Sequence, residues 1–546
     1  MMQRIWKNQR PARALRRSLI FYFPLCLSIF LCVSLVAARQ QDQTEDIVVT
    51  LLFTNDMESA YDPFPAFWID DMERIGGIAE LATLISKLRT TEPNVFLFDA
   101  GDIFTGALSR LTNGALMFEF MLTMGYDAMG IGNHEFDYGH EVFLWEKNRA
   151  AFPVLGANLF WKGTDIPFAQ AHTIIERGGI RIGVIGTLGQ DAAATAIAPR
   201  HIAALDVTDP AGAVQRSMDA LREDVDLVVL LTHQGHTAPM QTDAEIDPRL
   251  ARDIDKDIAL AGAIDGIDVL FGGHADAGTW KPVVQPETGT LIMQTFGQAT
   301  YLGYLQLTLD GDSKEIKDYD GKLIPVDSDK LEPDPVIASK YWHYRSAFPE
   351  ISEVVGRNQA RLNRKYFDEA DIGNLLADVL AEATGADIGL MHPGGIRKDL
   401  PRGEVTVMDV LDTNPFVDPV HLVELDGATL KEVMEQSFTQ LRGLMQVSGL
   451  EVIYDSSKPE RQRLVSLRHQ GREVGDDDIF RVGVSGIIAR GGDHYTAFLK
   501  GKTIRQFEAL GQLTIDYYRK HGTVTLPASG RQKDIAQGSY PGTQAE

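Results

Sequence analysis

VVTLLFTNDME, residues 48–58, is a short run of β-branched and apolar residues that ends abruptly in oxygen-bearing side chains. A run of this length, closed by the turn-forming Thr54-Asn55-Asp56, reads as a buried strand. The same pattern recurs four times downstream. Residues 95–98 (VFLF) lead into Asp99-Ala100-Gly101-Asp102, and residues 126–131 into Gly132-Asn133-His134-Glu135-Phe136-Asp137. Residues 226–231 lead into Thr232-His233, and residues 269–271 into Gly272-Gly273-His274-Ala275-Asp276. Between the first two strands, Ile78, Leu81, Ala82, Ile85 and Leu88 fall on one helical face. Alternation of strand and helix predicts an α/β domain whose helices cover the sheets. In such sheets, ligand-binding groups gather beyond the carboxyl ends of the strands.

Each turn taken alone has an ordinary structural explanation. Asp and Asn after a strand commonly cap a turn, and a lone histidine is usually a satisfied core or surface residue. Five successive turns that each present Asp, Asn or His, with glycines allowing close backbone approach, point instead to a shared metal site. Carboxylate, amide and imidazole groups are the donors that bind divalent cations, and one carboxylate can serve two of them.

A chain of 546 residues exceeds one hydrophobic core, so two or more domains are expected. Residues 1–38 differ from the rest. Arg4, Lys7, Arg10, Arg13, Arg16 and Arg17 precede an apolar run over 19–37, and Val36-Ala37-Ala38 offers small residues for cleavage. This reads as a signal peptide that sends the protein out of the cytoplasm, to a periplasmic or extracellular location. The alternative is an uncleaved membrane anchor, since the run is long enough to span a bilayer. Arg16-Arg17 also resembles a twin-arginine signal. Both cysteines, Cys26 and Cys32, lie in this leader, which excludes disulfides and thiolate ligands from the mature chain. The leader holds six of the 52 basic residues and none of the 76 acidic ones, so its removal makes the net charge of −24 more negative. Such an acidic body excludes a general nucleic-acid binder and requires any attraction for anions to be local.

The first α/β unit is expected over 47–326, a linker or hinge helix over 327–357 (with its helix at 338–353), and a second mixed α/β unit over 358–535. Acidic loop residues Asp62, Asp70, Asp71 and Glu73 read as a solvated loop, and His236 as a surface group or one behind the metal ligands.

The set TND, GD, GNHE, H and GGH resembles the calcineurin-like metallophosphoesterases. Gly76-Gly77-Ile78-Ala79, residues 132–139 (GNHEFDYG) and residues 152–159 (FPVLGANL) resemble the 5′-nucleotidase branch. Asp371-Ile372-Gly373-Asn374, Gly394-Gly395-Ile396-Arg397, Val447-Ser448-Gly449 and Gly491-Gly492-Asp493 resemble its C-terminal substrate domain. The likeness spans nearly all of 47–530. It implies a metallophosphoesterase β-sandwich flanked by helices, followed by a mixed α/β substrate-binding domain that swings to carry substrate to the metals.

Carried over by position, the resemblance implies two divalent metal ions bridged by Asp102. Metal two would take Asn133, His233 and His274; metal one would take Asp56, Glu58 and Asp276. His134 would stabilise phosphate oxygens or protonate the leaving group, with Asp137 orienting its ring. Two such cations can acidify a shared water for attack on phosphorus while neutralising the developing charge. The family usually has histidines where this chain has Glu58 and Asp276. Metal one would therefore see oxygen donors only, favouring Mg²⁺, Mn²⁺ or Ca²⁺, while metal two keeps imidazoles suited to Mn²⁺, Fe²⁺ or Zn²⁺.

In the second unit the resemblance makes Arg397 a substrate-binding cation, Phe416 a stacking ring and Asp493 a group near the nucleoside. It departs from the family at His392, where an asparagine is expected, and at Ile487, where a second aromatic is common. The sequence does not place Tyr495. The implied function is an exported two-metal hydrolase that releases phosphate from a small-molecule ester, a nucleotide above all. Alternatives are a phosphodiesterase of cyclic nucleotides or nucleotide-sugars, a hydrolase of another tetrahedral ester such as a sulfur-containing one, and a non-catalytic ligand-binding protein on the same fold.

Overall fold

A computed structural model describes residues 45–236, 250 and 252–536; the leader lies outside these residues. The chain opens with β1 (Ile47–Thr54), α1 (Ile78–Thr91), β2 (Val95–Asp99), α2 (Ala115–Met124), β3 (Ala128–Gly130) and β4 (Val154–Leu155). A second sheet follows, from β5 (His172–Arg177), β6 (Ile180–Leu188), α3 (Pro210–Leu221), β7 (Leu227–His233), α4 (Asp255–Gly262), β8 (Val269–Gly273), β9 (Val283–Val284) and β10 (Leu291–Met293). The hairpin β11 (Tyr301–Leu309) and β12 (Ile316–Pro325) then returns to the first sheet.

Both sheets have six strands, in the orders β12-β11-β1-β2-β3-β4 and β9-β10-β8-β7-β6-β5. β1, β2 and β3 run parallel, as do β6, β7 and β8. Strand periodicity explains the layering. Val49, Leu51, Phe53, Phe96 and Phe98 face Val184, Val229, Leu231 and Phe271 between the sheets, and the Phe53 and Phe271 rings stack with centroids 4.0 Å apart. The alternate residues Leu52 and Leu97 pack outward, where Ile78, Leu81, Ile85 and Phe120 of α1 and α2 cover them. Val228, Leu230 and Leu270 are covered in the same way by Val214, Met218 and Leu260 of α3 and α4. The result is a β-sandwich flanked by helices on both sides. Because its parallel strands point one way, all five turns identified in the sequence lie at one end.

The second unit is built on a five-stranded sheet. Its elements are α6 (Asp371–Thr384), β13 (Ile388–Met391), β14 (Pro419–Asp426), α7 (Gly427–Ser437), β15 (Gln446–Ser448), β16 (Ile479–Ser485), β17 (Lys502–Ala509) and α8 (Leu510–His521), after α5 (Pro335–Ala347) has linked it to the first. The strand order is β15-β13-β16-β14-β17. α6 and α8 cover one face through Leu376, Leu380, Ile515 and Tyr518. α7 covers the other through Leu430, Val433 and Met434.

Helix α5 departs from the sequence expectation of 338–353 at both ends. Asp334 caps it by accepting the Val336 and Ile337 amides, and Pro335 takes the first turn, where a missing N–H costs nothing. Pro349 lies just beyond its end. α5 packs on the first unit: the Tyr341 ring stacks on Tyr61, and its hydroxyl donates to Asp62 at 2.8 Å. Asp62, Asp70, Asp71 and Glu73 are solvent-exposed, as is His236. Among the described residues, no helix is long and apolar enough to cross a membrane.

Candidate metal centre and substrate cleft

β1, β2, β3, β7 and β8 deliver Asp56, Glu58, Asp102, Asn133, His134, His233, His274 and Asp276 to one buried corner. Their turns are held open by unusual backbone. Asp56, Glu58, Asp102, His274 and Asp276 all adopt positive φ, between 45° and 75°. For side chains other than glycine this conformation costs free energy, and such strain collects at functional sites. Glycines allow the turns to meet: a Cβ on Gly132 would lie 2.2 Å from Asp102 Oδ1, and one on Gly273 would lie 2.7 Å from His233 Nδ1.

Asp102 lies at the centre. Its Oδ1 accepts the His134 amide at 2.7 Å, and its Oδ2 is 2.9 Å from His233 Nε2. His233 Nδ1 donates to the Ala100 carbonyl at 2.9 Å, so its Nε2 turns toward Asp102 and toward Asn133 Oδ1 at 3.2 Å. A second hydrogen bond of this kind orients an imidazole for ligation. Donor atoms of Asp102, His233 and His274 lie within 4.8 Å of one another, as do those of Glu58, Asp102 and His134. Asp56 and Asp276 join neither group. The Glu58 carboxylate instead leans toward His134, with Oε1 3.4 Å from Nε2.

The fit of this corner to cations can be tested by its unpaired atoms. Both ring nitrogens of His274, Asp276 Oδ1 and Glu58 Oε2 are buried without a hydrogen-bond partner. Leaving such groups unpaired is costly unless something else engages them. Electrostatics points the same way. Burial, joined by the charges of Asp102 and Glu58, pushes Asp56 up to about 7, although His233 opposes this. Burial and then Asp56 and Glu58 raise Asp276 well above the usual carboxylate range. Burial and the charge of His233 hold His274 well below its ordinary value. Burial alone would raise Asp102, but His233 and His134 outweigh it and hold the carboxyl low. Crowded carboxylates beside an unprotonated imidazole are what divalent cations stabilise.

Two groups beyond the sequence-derived set shape this corner. The Glu135 carboxylate, fully buried, accepts the amides of Gly132 at 2.6 Å, Asp102 at 3.0 Å and Ile103 at 2.8 Å, tying the Asp102 and Asn133 turns together. Asn55 donates to Asp56 Oδ2 at 2.7 Å and accepts the Thr295 amide at 2.7 Å. Both stand inside motifs quoted above, beside the candidate metal-binding residues.

The second unit closes over this corner. A cleft is lined on one side by Asp56, Glu58, Asn133 and His134, and on the other by His392, Arg397, Phe416, Arg442, Ile487 and Asp493. Arg397 Nη2 is 3.4 Å from His134 Nε2, and its guanidinium forms an ion pair with Glu58. The Phe416 ring lies 6.1 Å from the His134 ring, centroid to centroid.

The family model for calcineurin-like phosphoesterase matches residues 49–275, and that for the 5′-nucleotidase C-terminal domain matches residues 350–500. The chain thus joins a calcineurin-like phosphoesterase domain to a 5′-nucleotidase C-terminal domain. It is a metal-dependent phosphoester hydrolase. A 5′-nucleotidase from Diplobatis ommata is 26% identical over 555 residues, covering 91% of this chain and 91% of its own. The crystal structure of a 5′-nucleotidase precursor from Thermus thermophilus shares the fold with a TM-score of 0.75 at 24% identity, over 90% of this chain and 100% of that one. A sulfate thiohydrolase from the same organism shares it with a TM-score of 0.72 at 17% identity, over 90% and 97%.

Within this 5′-nucleotidase fold, His134 and Asp137 form a pair in which Nδ1 lies 2.9 Å from Asp137 Oδ2. Burial would lower the basicity of His134, but the charges of Asp137, Asp102 and Glu58 push it up to about 10. In the second unit His392 Nε2 is 3.4 Å from Asp493 Oδ2, and Arg442 Nε is 3.6 Å from Asp493 Oδ1. Arg442, buried and cationic, is a cleft residue that the sequence motifs did not single out. Tyr495 is absent from the cleft lining; it is buried in the core under α7.

Proposed function

We propose that the protein is an exported 5′-nucleotidase that releases phosphate from a nucleotide with the help of two divalent cations. The observation that carries this is the approach of Arg397 and Phe416, from the second unit, to His134 of the metal corner. A phosphate at the corner would meet the Arg397 guanidinium, whose donors suit phosphate oxygens. The group esterified to it would extend toward Phe416, which would stack on one face of a base. Names of relatives such as the Diplobatis ommata 5′-nucleotidase support the same substrate class. The leader over 1–38 supports export to the periplasm or cell exterior.

Asp102, Asn133, His233 and His274 would hold metal two, and Asp56, Glu58, Asp102 and Asp276 metal one. When bound, the two cations would supply Lewis-acid charge neutralisation and an acidified water nucleophile. His134, held by Asp137, would place its Nε2 toward the phosphate and donate a proton or hydrogen bond to the leaving oxygen. Glu135 would fix the Asp102 and Asn133 turns without touching substrate. His392 and Asp493 would present a polar wall to the far end of the leaving group. The oxygen-only set proposed for metal one favours Mg²⁺, Mn²⁺ or Ca²⁺; imidazoles at metal two admit Mn²⁺, Fe²⁺ or Zn²⁺.

Ile487, lining the cleft, favours keeping a second substrate class in view. An aliphatic wall grips a planar base less than an aromatic one, so an ester of another tetrahedral group is the competing reading. The test is release of phosphate from nucleoside 5′-monophosphates, compared with a simple aryl phosphate and the matching aryl sulfate. A 5′-nucleotidase turns over the nucleotide with the highest kcat/KM. Faster turnover of the sulfate would overturn the substrate assignment.

A further inference from the structure

We propose that Arg397 and metal one compete for the Glu58 carboxylate, so that occupancy of metal one and the Arg397–Glu58 ion pair oppose each other. This rests on the assignment of Glu58 to metal one made above. The Glu58 backbone is pinned, with its amide donating to the Asp102 carbonyl at 2.9 Å, so only the side chain can choose a partner. Its Oε1 is taken by Arg397 and lies 3.4 Å from His134 Nε2, while Oε2 is buried and unpaired.

Arg397 approaches from the other unit on a rigid support. Its amide donates to the Thr413 carbonyl at 2.8 Å, and its carbonyl accepts from Arg364 Nη1 at 2.6 Å. A guanidinium and a divalent cation that draw on the same carboxylate also repel each other. Two species that each bind Glu58 better without the other must show reciprocal coupling. A neutral side chain at position 58 would remove this link, because it offers the guanidinium no charge.

Calorimetric titration of Mn²⁺ into metal-stripped full-length protein tests the proposal. R397A, or R397Q should R397A fail to fold, is expected to tighten the site that contains Glu58 by about tenfold, the scale of one charge-assisted hydrogen bond. R200A serves as the control. It breaks another contact between the units, the Arg200–Asp418 pair at 3.3 Å, without touching Glu58, and should leave both affinities unchanged. Unchanged or weaker Mn²⁺ binding in R397A and R397Q overturns the competition, and so does equal tightening in R200A. E58A separates the underlying assignment: loss of one Mn²⁺ per chain supports it. Full retention of both ions means that Glu58 is no ligand, and the proposal then falls for that reason.

Discussion

The Glu135 carboxylate and the Asp102 amide, 3.0 Å apart, join the turns that carry Asp102 and Asn133, which come from different strands. The same carboxylate takes the Ile103 and Gly132 amides, so one buried side chain sets the spacing between Asp102 and Asn133. Glu135→Gln keeps the shape but replaces one acceptor oxygen by a donor that faces a backbone N–H. We expect it to cost about 1–3 kcal/mol of stability and to lower metal content, as read by denaturant unfolding and elemental analysis. Unchanged stability with full metal content would show that these turns hold themselves.

His134 and Asp102 are expected to separate chemistry from metal binding. His134→Ala should lower kcat by roughly 10²–10⁴-fold, the usual range for a positioned acid–base group, while metal content stays nearly intact. Asp102→Ala should lose both. Equal metal loss in the two variants would mean that their roles are misassigned.

Ile487 and Phe416 offer a test of the base pocket. Phe416→Ala should raise KM for nucleotides, whereas Ile487→Phe should lower it by several-fold, since an aromatic pair contributes about 0.5–1.5 kcal/mol beyond area. A small alkyl phosphate, with no ring to stack, should be indifferent to both. An equal effect on the alkyl ester would place these residues away from the base.

The two carboxylates at Glu58 and Asp276 predict metal preference. In Glu58→His/Asp276→His, metal one should shift from Mg²⁺ or Mn²⁺ toward Zn²⁺, as measured by elemental analysis after growth with each metal. A wild-type protein that already carries zinc at both positions would contradict the oxygen-only reading.

What is legible in the sequence follows from chemistry that is local. The runs before Asp56, Asp102 and His274 read as strands because apolar residues bounded by turn formers admit little else, and the observed strands Ile47–Thr54, Val95–Asp99 and Val269–Gly273 include them. The third run, 126–131, exceeds the observed Ala128–Gly130; Tyr126 is buried in the core, with its hydroxyl 2.8 Å from Thr54 Oγ1. The candidate metal-binding residues are legible because Asp, Asn and His follow each strand directly. Contacts between the units are not. Nothing local to Glu58 or Arg397 announces their ion pair, since 339 positions separate them and the fold alone brings them together. Arg442 escapes for the same reason: it follows no motif, and its place beside Asp493 depends on how β15 and the Gly491-Gly492 turn pack.

The most direct test of the whole account is turnover of a nucleoside 5′-monophosphate by the mature protein, with bound metal quantified in the same sample. Phosphate release with Mn²⁺ or Mg²⁺, loss of activity on chelation, and about two ions per chain with zinc confined to at most one are expected. No turnover with any of Mg²⁺, Mn²⁺, Ca²⁺ or Zn²⁺ at saturating concentration, or stoichiometric zinc at both positions, would contradict it.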